Sequence, residues 1–234
     1  MKSLYIIALA VLVSVSFVNA AEQEAHLFIL SGQSNMLEFN PNTSFIPALT
    51  KEFGEGSVIV VKDAEDGQPI LRWHKKWRSA KGDQPKVTGD LYDHLLNKVN
   101  GATKGQQIKT ITFIWMQGEQ DGMNGHGEVY ETSLKGLIDQ LRIDLKRKDM
   151  NFVIGRLSDY LMENPDWLAV RRAQVKVAES DPRGAWVDTD GLNGQENGLH
   201  YTKIGYKELG RRFAQKAIAL INASPDKAIG SAKK

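Results

Sequence analysis

The chain has 234 residues, 41% of them hydrophobic and 25% charged, with a net charge of +2. That suits one globular domain with a full core and excludes a disordered or fibrous chain. The near balance of charge supplies no electrostatic drive toward nucleic acid or an anionic membrane surface. With no cysteine, disulfide-stapled scaffolds, thiol nucleophiles and thiolate metal sites are excluded.

Residues 1–20 predict a secretory signal peptide. Lys2 gives the positive start, Leu4 to Val18 the apolar stretch, and Val18-Asn19-Ala20 a small-residue cleavage site. The stretch is short for a membrane span, and Glu22, Gln23 and Glu24 follow at once, so a secreted or periplasmic protein without stable membrane insertion is expected. The mature domain then covers 21–223, and 224–234 form a flexible tail.

Apolar, β-rich runs at 26–30, 57–61, 110–116, 152–157 and 185–187 predict five strands. Most are continuous rather than alternating, as in strands covered on both faces. Between them run helical stripes: Leu91, Leu95, Leu96 and Val99; Tyr130, Leu134, Leu137, Ile138 and Leu141; Leu168, Val170, Val175 and Val177; and Leu209, Phe213, Ala217 and Leu220. Residues 40–53 predict a loop with a short helix, and 78–88 a loop. Strand–helix alternation implies an α/β protein with a parallel sheet between two helical layers, whose site lies beyond the carboxyl ends of the strands.

Polar blocks fall at those ends. Gly32-Gln33-Ser34-Asn35 follows the first strand and presents a serine where free backbone N–H groups face a developing oxyanion. Asp66-Gly67-Gln68-Pro69-Ile70 follows the second strand, and Gly67 can bring an amide close to a substrate oxygen or simply permit a turn. Trp73 and Trp77 either stack on sugar rings or pack. Gln117-Gly118-Glu119-Gln120-Asp121 follows the third strand; it offers a side-chain amide to an oxyanion and carboxylates to hydroxyls, or is a polar turn. Glu196-Asn197-Gly198-Leu199-His200 precedes Thr202, an expected N-cap of the last helix. A serine after the first strand and a late histidine suit nucleophilic acyl transfer. No zinc, nucleotide or flavin motif is present, so no cofactor or metal is expected.

Taken in order from Phe28 to about Ala219, these blocks resemble the SGNH-hydrolase superfamily. The resemblance is closest to its sialate O-acetylesterase-like branch with the acetylxylan esterases of carbohydrate esterase family six. It implies a flavodoxin-like three-layer α/β/α sandwich with a five-stranded parallel sheet, and metal-free removal of acetyl groups from sugars. Carried over by position, Ser34 is the nucleophile and His200 the general base. The oxyanion hole comes from the Ser34 and Gly67 amides and the Gln117 side chain, and Gln33, Asn35, Trp73 and Glu119 are expected to bind substrate. The family's usual Asp three residues before the histidine is Asn197 here. A working Ser-His-Asn site, substitution by Glu196, Asp188 or Asp190, and a weak or inactive sugar-binding relative all stay open, as does a general short-chain esterase. The expected partner is an acetylated carbohydrate, with Arg156 and Arg171 as candidate clamps for a sugar carboxylate.

Overall fold

The computed structural model describes residues 24–80 and 85–223; the expected signal peptide and tail lie outside the described residues. The five apolar runs form parallel strands β1 (Ala25–Gly32), β2 (Val58–Ala64), β3 (Ile108–Met116), β4 (Asn151–Gly155) and β5 (Gly184–Val187), in the order β2-β1-β3-β4-β5. The helices are α1 (Ser34–Glu38), α2 (Phe45–Phe53), α3 (Asp90–Thr103), α4 (Glu119–Met123), α5 (Gly127–Asp144), α6 (Pro165–Glu179) and α7 (Lys203–Ala223). The four apolar stripes became α3, α5, α6 and α7.

Helices α2 and α7 pack together on one face of the sheet, while α3, α5 and α6 cover the other. This explains the continuous apolar reading of the strands. All eight residues of β1 are buried, as are the last six of β3. Phe28, Phe45 and Phe213 are fully buried, and each such ring contributes about 2–3 kcal/mol by leaving water. Some strand ends differ from expectation: β1 and β2 run on to Gly32 and Ala64, while β4 stops at Gly155, because the Leu157 N–H leaves the ladder and donates to Gln174 Oε1 on α6 at 2.8 Å.

The chain turns from β1 toward β2 on one side and from β3 toward β4 on the other. That reversal opens a crevice beyond the ends of β1 and β3, the usual ligand position in such sheets. Gly32 ends β1 there, paired with Ala64 on one side and Met116 on the other.

Candidate active site

Ser34 is the first residue of α1, directly after the turn at the end of β1, and is 3% exposed. As the first amide of a helix, its N–H has no intrahelical acceptor. The preceding Gln33 caps nothing with its side chain. Its N–H donates instead to Met116 O (3.0 Å), and its Oε1 accepts from Gln120 N (3.1 Å), so Gln33 ties the ends of β1 and β3 together.

Asn35 gathers the distant blocks. Its Nδ2 donates to Glu119 Oε1 at 2.8 Å and to Leu199 O at 3.1 Å; its Oδ1 accepts from Tyr201 N at 3.3 Å and from the Tyr206 hydroxyl at 3.0 Å. The residue after the serine thus holds both neighbours of His200. Thr202 is the N-cap expected for α7: its Oγ1 accepts from Gly205 N at 3.0 Å. His200 sits on this pinned loop with its ring 43% exposed, and its Nδ1 lies 3.7 Å from Glu38 Oε1. Among the described residues no hydrogen bond joins Ser34 Oγ to His200. Contacts of that kind often tighten only in the substrate complex.

The Gly67 turn is brought to the same crevice by Glu65 N, which donates to Gly32 O at 3.1 Å. Gly67 has φ +62°, a left-handed conformation suited to glycine, and is exposed. Gln117 departs from expectation. Its Nε2 donates to Gln68 O (3.0 Å) and Asp121 Oδ2 (2.6 Å), and its Oε1 accepts from Tyr130 OH at 3.0 Å. With both amide hydrogens committed and the residue wholly buried, Gln117 fixes the Gly67-Gln68 turn rather than pointing at a reacting oxygen. Of its clamps, Asp121 was a candidate for orienting a loop, while sequence reasoning missed Tyr130 and also Gln174, whose Nε2 donates to Gln117 O at 2.8 Å.

The side chains expected to bind substrate, Gln33, Asn35, Trp73 and Glu119, are each at most 2% exposed. Trp73 packs edge-on against Trp115 at 5.3 Å, and Trp77 lies against His126. Burial pushes the Glu119 carboxyl upward, against the Asn35 hydrogen bond, and its Oε2 has no partner.

Asn197 has φ +44°, accepts from Asn193 Nδ2 at 2.5 Å and donates to Asp159 O at 3.3 Å; it makes no hydrogen bond to His200. Glu196 is exposed. Asp188 and Asp190 pair with Arg156, and Asp190 also with buried Arg171 at 2.8 Å. These pairs remove both aspartates as partners of His200 and both arginines as free clamps; they brace the approach to the histidine loop instead. Burial raises Asp190, but Arg171 and Arg156 outweigh it and hold the carboxyl below its ordinary value. Its contribution to stability is therefore full above about pH 4 and is lost as pH falls through the depressed value. Asp190→Ala is expected to cost about 2 kcal/mol in thermal unfolding, less than a fully buried pair because Asp190 is partly exposed.

No group of three or more metal-ligating side chains occurs among the described residues, and none of their helices is long and apolar enough to cross a membrane. A solved protein from Arabidopsis thaliana superposes with TM-score 0.68 over 84% of this chain and 98% of its own, at 20% identity. A carbohydrate acetylesterase from Xanthomonas citri gives 0.65 over 85% of this chain and 57% of its own, at 15% identity. NanS gives 0.63 over 87% and 99%, at 13% identity. At such identities the likeness establishes the shared fold. No curated protein matches the chain. The sequence model of the family described as carbohydrate esterase, sialic acid-specific acetylesterase matches residues 37–219, from just after Ser34 into the last helix. The chain therefore belongs to that family and is a carboxylic ester hydrolase built on a five-stranded parallel α/β fold.

Proposed function

We propose that the protein is an exported serine esterase that removes O-acetyl groups from carbohydrates through an acetyl-enzyme on Ser34. The observation that carries this reading is the set of Asn35 hydrogen bonds. They join the residue beside Ser34 to Glu119, 84 residues away, and to Leu199 and Tyr201 on either side of His200. Family membership supports the substrate class, and the apolar segment within residues 1–20 supports export.

In this reading His200 accepts the Ser34 proton as Oγ attacks the acetyl carbonyl. The oxyanion is received by the Ser34 and Gly67 amides, with Gln117 holding the Gly67 turn in place. Collapse releases the sugar alkoxide, which takes the proton from His200. Water then adds to the acetyl-enzyme by the same base, and acetate leaves. Sialate and xylan types of acetylated sugar both fit this chemistry.

Acetate-selective turnover tests the acyl specificity. The mature protein is expected to hydrolyse p-nitrophenyl acetate at least about tenfold faster, in kcat/KM, than the butyrate ester, a difference within the range two methylenes set in a tight pocket. Equal or greater rates on butyrate would replace the acetylesterase reading with a general short-chain esterase.

A further inference from the structure

The family's usual acid three residues before the histidine is an asparagine here, and that asparagine is occupied elsewhere. Resting on the Ser34–His200 reading, we infer that Glu38, at the end of the helix that Ser34 begins, is the carboxylate that orients and stabilises His200.

Four observations carry this. Glu38 Oε1 lies 3.7 Å from His200 Nδ1, the only ion pair that His200 makes among the described residues. The nitrogen that faces it is Nδ1, which leaves Nε2 for the serine, as a base oriented by a third group requires. Ser34 and Glu38 stand four residues apart on α1, so they share one face of the helix. Finally, Glu38 is held: the Tyr206 hydroxyl lies 2.9 Å from its Oε2 and 3.0 Å from Asn35 Oδ1. Burial, reinforced by Glu38, pushes the Tyr206 hydroxyl well above its ordinary range, so it stays protonated and serves as a donor.

The other carboxylates fail on geometry. Asp188 and Asp190 are taken by arginines, and Glu196 makes no ion pair or hydrogen bond to His200. Glu119 gives one oxygen to Asn35 and lies where burial favours its neutral form. When the Ser34 proton passes to His200, the ring becomes an imidazolium, and an ionised Glu38 beside Nδ1 lowers the energy of that charge without itself taking the proton. Glu38 is therefore a positioning residue. Its 48% exposure admits water and screens the interaction, so its effect is expected to be smaller than the 10⁴-fold of a buried aspartate in this role.

The test compares wild type, Ser34→Ala, Glu38→Gln, Glu38→Asp and Asn197→Ala on p-nitrophenyl acetate, with melting temperatures for each. Glu38→Gln keeps an oxygen for the Tyr206 hydroxyl and so is expected to melt near wild type. It should lower kcat about 10²-fold with KM within twofold. Glu38→Asp, which restores the charge, should recover part of that loss, and Asn197→Ala should cost less than Glu38→Gln. A Glu38→Gln rate within threefold of wild type, equal losses in Glu38→Gln and Glu38→Asp, or a larger loss in Asn197→Ala would overturn the assignment of Glu38 while Ser34→Ala remains silent. Turnover that persists in Ser34→Ala would overturn the serine-esterase reading and this inference with it.

Discussion

Ser34→Ala is expected to lower kcat for acetyl-ester hydrolysis on the order of 10⁶-fold, the scale on which removal of a nucleophilic serine has been measured in an unrelated protease. The hydroxyl makes no hydrogen bond among the described residues, so its loss breaks no native contact, and Ser34 remains at the start of α1 with its amide in place. The melting temperature should move by less than about 2 °C, because a methyl replaces a hydroxyl that supports nothing. The variant should also resist a fluorophosphonate probe that labels the wild type. Labelling at another residue, or turnover above one part in a thousand of wild type, would show that the ester is cleaved elsewhere.

Gly32→Ala is expected to abolish folding or to cost about 4 kcal/mol or more, which for a domain of this size is a fall of about 10 °C or more in melting temperature. Gly32 has φ +146°, and a Cβ added there would stand 1.8 Å from Met116 O and 2.6 Å from Met116 C. Those are backbone atoms of the neighbouring strand, so no side chain can rotate away. The same carbonyl accepts from Gln33 N at 3.0 Å, and moving it would disturb the turn that presents Ser34. Circular dichroism and thermal melts of the purified variant decide the matter. A stable, active Gly32→Ala protein would mean that β1 and β3 can separate at the crevice without loss.

How much of this was legible follows from what leaves a periodic trace. The strands and the four long helices were readable because burial on two faces or one writes a regular apolar pattern over many residues. The five-residue helix α4 was not, since one turn is too short to carry a period, and α1 was expected only as a helix or short turn opened by Ser34. Ser34 and Gly67 stood out in polar blocks at strand ends, and His200 in a polar block before the last helix. Trp73 and Trp77 stayed open between two readings because an aromatic beside lysines and arginines has the same sequence signature whether it faces a sugar or the core. Gln117 was seen but not its commitments, since its partners Gln68, Asp121 and Tyr130 become neighbours in the right orientation only when the sheet end is assembled. Glu38, the carboxylate inferred to serve His200, stands on α1, so nothing in the residues before the histidine points to it. The signal was present as spacing: a carboxylate four residues after a serine that opens a helix.

The placement of β1 also governs the order in which the molecule can form. The first strand of the chain lies second in the sheet and pairs with both β2 and β3. Its apolar length therefore stays without a complete shelter until the chain has been made through Met116. Parallel pairings of this kind must close long loops before they are rewarded, which slows folding and lengthens the time a chain remains open. An interior strand that must wait for a late neighbour thus keeps its apolar length open while the chain is being made. In the finished protein the same arrangement leads us to expect the amides of β1 and β3 to be the last to exchange with solvent in a hydrogen-exchange measurement.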